Sequence, residues 1–167
     1  MQSWIEKLKL ERHVEGGYFG LVYQSTDKII TQNKRYNTTE RTAGSSIYFL
    51  LEKNDFSAWH QLKSDEIWHY YDGEGGIHIH TIDLDGNYVL KVLGHPMHVE
   101  NGTFQVAIPA GTWFAAELIN KLSFGLVGCT VSPGFDYQDF TLADRDQLVS
   151  QYATYAELIH RLTRVVC

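Results

Sequence analysis

The chain has no run of lysine and arginine, no long apolar stretch and only two cysteines in 167 residues. Each absence removes a class of function. Without a basic cluster, and with a net charge of -6 and a pI near 5.7, the chain is a poor match for a nucleic-acid backbone. No apolar run approaches the ~18 residues that a membrane span needs. The opening segment MQSWIEKLKLERHVEGG lacks the apolar core of a signal peptide and reads as a short amphipathic helix, so a cytoplasmic location is expected. Cys129 lies in the apolar run FGLVGCTVS and Cys167 ends the chain; neither has a second cysteine at CxxC spacing, so both read as free thiols. The sequence also has no Gly-x-Ser-x-Gly elbow and no phosphate-binding GxxxxGK[ST].

What is present is a succession of short apolar and aromatic runs. Hydrophobic residues make up 44% of the chain and charged residues 20%, which suits one globular domain over residues 1–167 with one sizeable core. Turn signals at Asp72-Gly73, Asp85-Gly86, Asn101-Gly102 and Pro133-Gly134 bound the runs. Strands are predicted at residues 18–25, 46–51, 56–62, 66–71, 77–82, 88–93, 104–108, 112–118 and 124–131. No helical period separates them, so an all-β sandwich or barrel is favoured over βαβ units. Helices are expected only near the ends. Ser3-x-x-Glu6 and Thr154-x-x-Glu157 carry the capping-box signature, and a further helix is predicted over residues 144–151.

The stretch HQLKSDEIWHYYDG, from His60 to Gly73, concentrates the chemistry. Strand alternation puts Glu66, Trp68 and Tyr70 on one face and Ile67, His69 and Tyr71 on the other; His60 and Leu62 share a face of the strand before. If Glu66 faces inward, His60 and Glu66 form a candidate acid–base pair, with Trp68, Tyr70, Trp113 and Phe114 as pocket walls. Glu117, in GTWFAAEL, can add a second carboxylate. Such a pair can move a proton on and off carbon beside a carbonyl, with the carboxylate favouring imidazolium and burial opposing it. The plainer alternative is a hydrogen bond that only fixes the strand ends. Arg41 can hold an anionic group bidentately, or can be a solvated loop residue. Glu15-Gly16-Gly17-Tyr18 reads as a tight turn into the first strand, or as a loop that closes the pocket.

A transition metal wants three or four His, Cys or carboxylate ligands in one place. His60 and Glu66 supply two, so a divalent metal needs recruits from His78, His80, His95 or His98. His78 and His80, at i and i+2, face one side of a strand. That spacing suits a metal on a sheet, and equally a surface or interface pair.

Taken together, EGGYF, SSIYFLL, WHQLKSDEIWHYYDG, PAGTWFAAEL and GCTVSPGFDYQDFTLADR resemble the small cupin family known as cupin type 5, formerly a domain of unknown function. The resemblance implies a double-stranded β-helix, or jelly roll, with short terminal helices, usually as a homodimer. It also implies a pocket near His60, Glu66 and the PAGTWF segment. Metal-binding cupins supply His-x-His, Glu and a last His; here Leu62 and Phe114 take the second and last histidine positions. By motif position His60 also matches the histidine base of the metal-independent nucleotide-sugar epimerases. The expectation is therefore a pocket for a small polar metabolite (sugar, nucleotide sugar or keto acid), acting as an epimerase or isomerase without a cofactor. The alternatives are a metal-dependent dioxygenase or isomerase, and a non-catalytic binding or storage module.

Overall fold

The computed structural model describes residues 3–36 and 40–164. Cys167 lies outside the described residues. A short helix α1 (Trp4–Leu8) precedes strands β1 (Glu11–Arg12), β2 (Tyr18–Gln24), β3 (Lys28–Ile30), β4 (Glu40–Thr42), β5 (Ser45–Glu52), β6 (Phe56–Leu62) and β7 (Asp65–Gly73). Strands β8 (Ile77–Ile82), β9 (Tyr88–Leu93), β10 (Gln105–Ile108), β11 (Trp113–Leu118), β12 (Phe124–Ser132) and β13 (Phe140–Leu142) follow, then helices α2 (Arg145–Gln151) and α3 (Ala156–Arg161). Two antiparallel sheets face each other, in the orders β1-β2-β5-β12-β7-β10 and β13-β6-β11-β8-β9; β3 and β4 form a separate hairpin. This is the expected jelly roll with terminal helices. Among the described residues no helix is long and apolar enough to cross a membrane.

Strand alternation explains how the layers are covered. In β11, Phe114, Ala116 and Leu118 point between the sheets, where they meet Ile77 and Ile79 of β8 and Phe49, Leu51 and Trp68 of the opposite sheet. Trp113 and Ala115 point the other way, with Trp59 and Ile82, into a second core built against Leu148, Ile159 and Leu162 of the C-terminal helical segment. The central strands of the five-stranded sheet, β6, β11 and β8, are therefore covered on both faces, while the edge strand β9 leaves Val89 and Leu90 exposed. On the far side of the molecule, α1 lays Trp4, Ile5 and Leu8 over Leu50 and Leu126.

Each predicted strand forms within one or two residues of its expected ends. The extra strands β1, β3, β4 and β13 are two or three residues long, too short to show an alternation. The N-terminal capping box forms: Ser3 accepts from the Glu6 N–H while Glu6 accepts from the Ser3 N–H. Asp144 caps α2 by accepting from the Gln147 N–H. The second capping box does not form. A 3-10 turn (Ala153–Tyr155) takes its place, and α3 begins with no side-chain cap. Packing overrides the local signal here, because Tyr152 and Tyr155 lie in the second core and the Tyr155 ring sits 5.4 Å from Tyr88.

One buried ion pair ties the β3–β4 hairpin to the rest. Arg41 of β4 holds Asp139 in a fork, Nε to Oδ2 at 2.6 Å and Nη2 to Oδ1 at 2.8 Å, with both side chains almost fully enclosed. Removing one partner leaves a buried charge without its main counter-ion. Arg41→Met is expected to lower the unfolding free energy by ~3–5 kcal/mol. A denaturant midpoint close to that of the parent chain would show that the pair is not a stability element.

Candidate functional site

His60 and Leu62 of β6 point inward, as their parity requires, and so does Glu66 at the start of β7. They open onto a cavity of about 240 Å³. Phe19, Phe49, Phe135, Tyr137 and Phe140 contribute aromatic wall, while His13, Glu15, His60, Glu66 and Cys129 provide the polar groups.

Glu15 gets there by a clamped turn. Gly16 and Gly17 have φ of 111° and 67°, the left-handed region that favours glycine. A Cβ on Gly16 would stand 2.1 Å from the Phe56 carbonyl oxygen. The Glu15 carbonyl accepts from the Ala58 N–H at 2.8 Å and from Arg164 Nε at 2.9 Å. Asp55 accepts from the Gly17 N–H and from Arg164. Strand β6 and a C-terminal arginine thus hold the turn against the barrel, and the Glu15 side chain is driven inside.

Hydrogen bonding assigns the imidazole tautomers. His60 Nδ1 lies 2.7 Å from the Ala58 carbonyl oxygen, so Nδ1 carries the proton and Nε2 is the bare nitrogen. That Nε2 sits 3.3 Å from Glu15 Oε2. His13 Nδ1 accepts from the Glu15 N–H at 3.4 Å and lies 3.5 Å from Glu15 Oε2. Ser57 donates to Glu15 Oε1 at 2.9 Å. The partner of His60 is therefore Glu15, not Glu66.

Burial sets the charge. It lowers the His60 pKa to about 3 and the His13 pKa to about 4. It raises the Glu15 carboxyl well above the usual range, with the neighbouring Glu66 adding to the effect. Burial also pushes Glu66 up to about 7, against the opposing influence of the Cys129 thiol and the Trp68 indole. The Cys129 thiol is itself pushed up by burial and then by the two carboxyls. The shared proton accordingly rests on Glu15, which can donate to His60 Nε2. The Cys129 thiol and Trp68 indole lie close enough to Glu66 to favour its ionised form, but buried Oε2 makes no hydrogen bond of normal geometry, and the cavity lies beside it.

The other six candidates stand elsewhere. Trp68 keeps the inward parity but lies farther along the barrel, edge-on to Phe49 and Phe114 in the core. Tyr70 is half-buried and donates to the Gly73 carbonyl. Phe114 packs behind the His60 ring with centroids 3.9 Å apart, supporting it from the core. Trp113 and Glu117 occupy the opposite face of their strand, beneath the C-terminal helices. Arg41 is committed to Asp139, and so braces the Tyr137–Phe140 wall from behind. Sequence reasoning missed His13, Glu15 and Cys129 as pocket residues. The one signal for Glu15 was its place beside paired glycines in EGGYF.

A metal in the barrel would need donor atoms that this site does not bring together. Leu62 and Phe114 offer no ligand atom, Nδ1 of His60 is committed to a carbonyl, and among the described residues no three ligand atoms of the barrel's His, Cys and carboxylate groups lie within 4.8 Å of one another. These residues do not fit a metal at the position used by metal-binding cupins. Among the described residues, the trio whose ligand atoms all fall within 4.8 Å is His78, His80 and Glu117, outside the barrel.

Comparison with known proteins agrees with this architecture. The family model described as "Cupin superfamily (DUF985)" matches residues 2–143. A hypothetical protein from Leishmania major is 30% identical over 97% of both chains, with a TM-score of 0.87. A protein from Shewanella oneidensis is 32% identical over 99% of this chain and 100% of its own, with a TM-score of 0.85. Oxalate decarboxylase from Bacillus subtilis shares the fold at 12% identity, covering 90% of this chain and 36% of its own, with a TM-score of 0.53. A comparison with curated proteins finds no match.

The raised pKa of Glu66 has a consequence for stability. The folded chain keeps this proton up to about pH 7, the unfolded chain only to about 4.5. Its contribution is complete below about pH 4.5 and is lost as pH rises through 7. Between pH 5 and 8, Glu66→Gln should therefore gain on the parent by roughly 3 kcal/mol, from 1.36 kcal/mol per pKa unit. Parallel stability–pH profiles for the two proteins would place the titration elsewhere.

Proposed function

The chain belongs to the cupin superfamily family DUF985, and on that premise we propose that its barrel binds a small neutral hydroxy- or oxo-compound and shifts a proton on it without a metal. The observation that carries this reading is the buried Glu66 Oε2 on the wall of a cavity, which has the Cys129 thiol and Trp68 indole near its carboxyl but no hydrogen bond of normal geometry. An unmet acceptor inside a protein costs about 1–3 kcal/mol and is the natural point of contact for a ligand.

The polar groups divide the work. Glu66, with a pKa of about 7, is matched to taking a proton at neutral pH, where general-base catalysis is most effective. The protonated Glu15 carboxyl can donate to a carbonyl oxygen. His60 is too weak a base at a pKa of about 3 and serves instead as a fixed acceptor for Glu15 or for a ligand hydroxyl. For an α-hydroxy carbonyl compound, the carboxylate of Glu66 would remove the proton on carbon while the Glu15 proton passes to the oxygen. Return of a proton from Glu66 to carbon, with an enediol hydroxyl giving its proton back to Glu15, completes an isomerisation or epimerisation and restores both carboxyls.

The lining also argues about substrate class. It contains two carboxyls and no lysine or arginine. Nucleotide sugars and keto acids would bring anionic groups with no cation to receive them. A sugar or another neutral carbonyl compound with one apolar face suits five aromatic rings and a cavity below the ~300–1,000 Å³ typical of larger ligand sites.

The test is a melting-shift screen of neutral and anionic metabolites, followed by proton exchange of the hits in deuterated water. A neutral ligand at a hundred times its dissociation constant should stabilise the chain by ~2.7 kcal/mol. Deuterium should enter the ligand, and Glu66→Gln should slow that by about 10²–10⁴-fold. Exchange that survives Glu66→Gln removes Glu66 as the base. Stabilisation without exchange makes the protein a binding module, and hits confined to anions overturn the substrate class.

A further inference from the structure

On the outer face of the five-stranded sheet, away from the barrel cavity, three ligand-bearing side chains converge. His78 and His80 stand at i and i+2 on β8, and register pairs Glu117 of β11 directly with His78. One ligand atom from each lies within 4.8 Å of the other two. We propose that His78, His80 and Glu117 form a binding site for a divalent first-row transition metal, with zinc the best match to two imidazoles and a carboxylate.

The surroundings supply the orientation that such a site needs. The Tyr88 hydroxyl is 2.8 Å from His80 Nδ1, which leaves Nε2 pointing at Glu117 Oε1, 3.1 Å away. In the metal-free chain a proton on Nε2 bridges these two atoms. Moving that proton to Nδ1, where Tyr88 can accept it, exposes the Nε2 lone pair to a metal; an outer hydrogen bond of this kind fixes the tautomer of ligating histidines. Burial works to raise the Glu117 pKa, but hydrogen bonds from His80, Arg161 and Lys121 hold it well below the usual range, so the carboxylate is ionised. His78 is half-buried, so its imidazole is open to an incoming ion. A trio of this kind leaves at least one coordination position open.

The cations are the opposing term. Lys121 and Arg161 both bind Glu117 Oε2, and their positive charge counts against an incoming metal. Both side chains are substantially exposed, at 39% and 51%, so either can turn into water and leave Oε2 free. Arg161 belongs to α3, so metal and helix compete for one carboxylate. Exchange of the Arg161 contact for the metal would therefore be felt at the C-terminal layer.

The test is zinc titration of the full chain by calorimetry, with metal content after desalting measured by mass spectrometry and folding checked by circular dichroism. One zinc per chain is expected. His78→Asn, at a half-exposed position, should weaken binding by more than about tenfold, since even outer-shell changes cost about 10–100-fold. Arg161→Gln should tighten it by removing a like charge, and His60→Asn should leave it unchanged. Cobalt in place of zinc should give visible absorption that His78→Asn abolishes. Unaltered zinc affinity in His78→Asn would overturn the assignment, as would zinc binding confined to Arg161→Gln, which would mean that the arginine fills the site in the native chain. No binding to either protein would overturn it too.

Discussion

Side chains alternate across a strand, and in this molecule the central strands of the five-stranded sheet are covered on both faces. Most of the structure depends on that one constraint. Strand β11 sends Phe114, Ala116 and Leu118 into the barrel and Trp113, Ala115 and Glu117 under the C-terminal helices. Strand β8 divides Ile77 and Ile79 from His78 and His80 in the same way. A shift of one residue in either strand would exchange the two sets, placing charge in the barrel core and bulky apolar groups against the helices. The C-terminal helices are part of the same arrangement, because without them Trp59 and Ile82 would be open to water.

The cavity is a second consequence, and its electrostatics are unusual. Five ionisable groups, His13, Glu15, His60, Glu66 and Cys129, are enclosed with no lysine or arginine in the lining. Taking charge out of water without a counter-ion is costly, so the groups respond by becoming neutral. The histidines lose affinity for protons and the carboxyls gain it. Glu66 is the group left near neutrality, with one oxygen unsatisfied. By contrast, Glu117 stands among His80, Lys121 and Arg161, and it remains ionised. The same residue type has opposite behaviour in the two places, because Glu66 lies deeper in the protein and Glu117 is within reach of cations.

A large share of the fold was legible before the structure. The strand positions followed from runs of β-branched and aromatic residues between turn pairs, and the inward parity of His60, Leu62 and Glu66 followed from alternation. The C-terminal helix forms, but without the cap expected at Thr154, because the capping signature is local whereas Tyr152 and Tyr155 answer to the sheet beneath them. The walls were placed by nearness in sequence to His60 and Glu66. Trp68 and Tyr70 share the face of Glu66, but the rise of ~3.3 Å per residue carries them along the barrel and away from the opening.

By itself the sequence determined where strands run, which side of each is apolar, and the family to which the chain belongs, because these are properties of short segments and their spacing. Tertiary structure alone decided that Glu15 is the partner of His60 and that His78, His80 and Glu117 meet. Glu15 reaches His60 only because Asp55 with β6, and Arg164 near the other end of the chain, clamp a glycine turn from two separate parts of the sequence. Contacts of that kind depend on which strands pair and in what register, and no local pattern of residues encodes them.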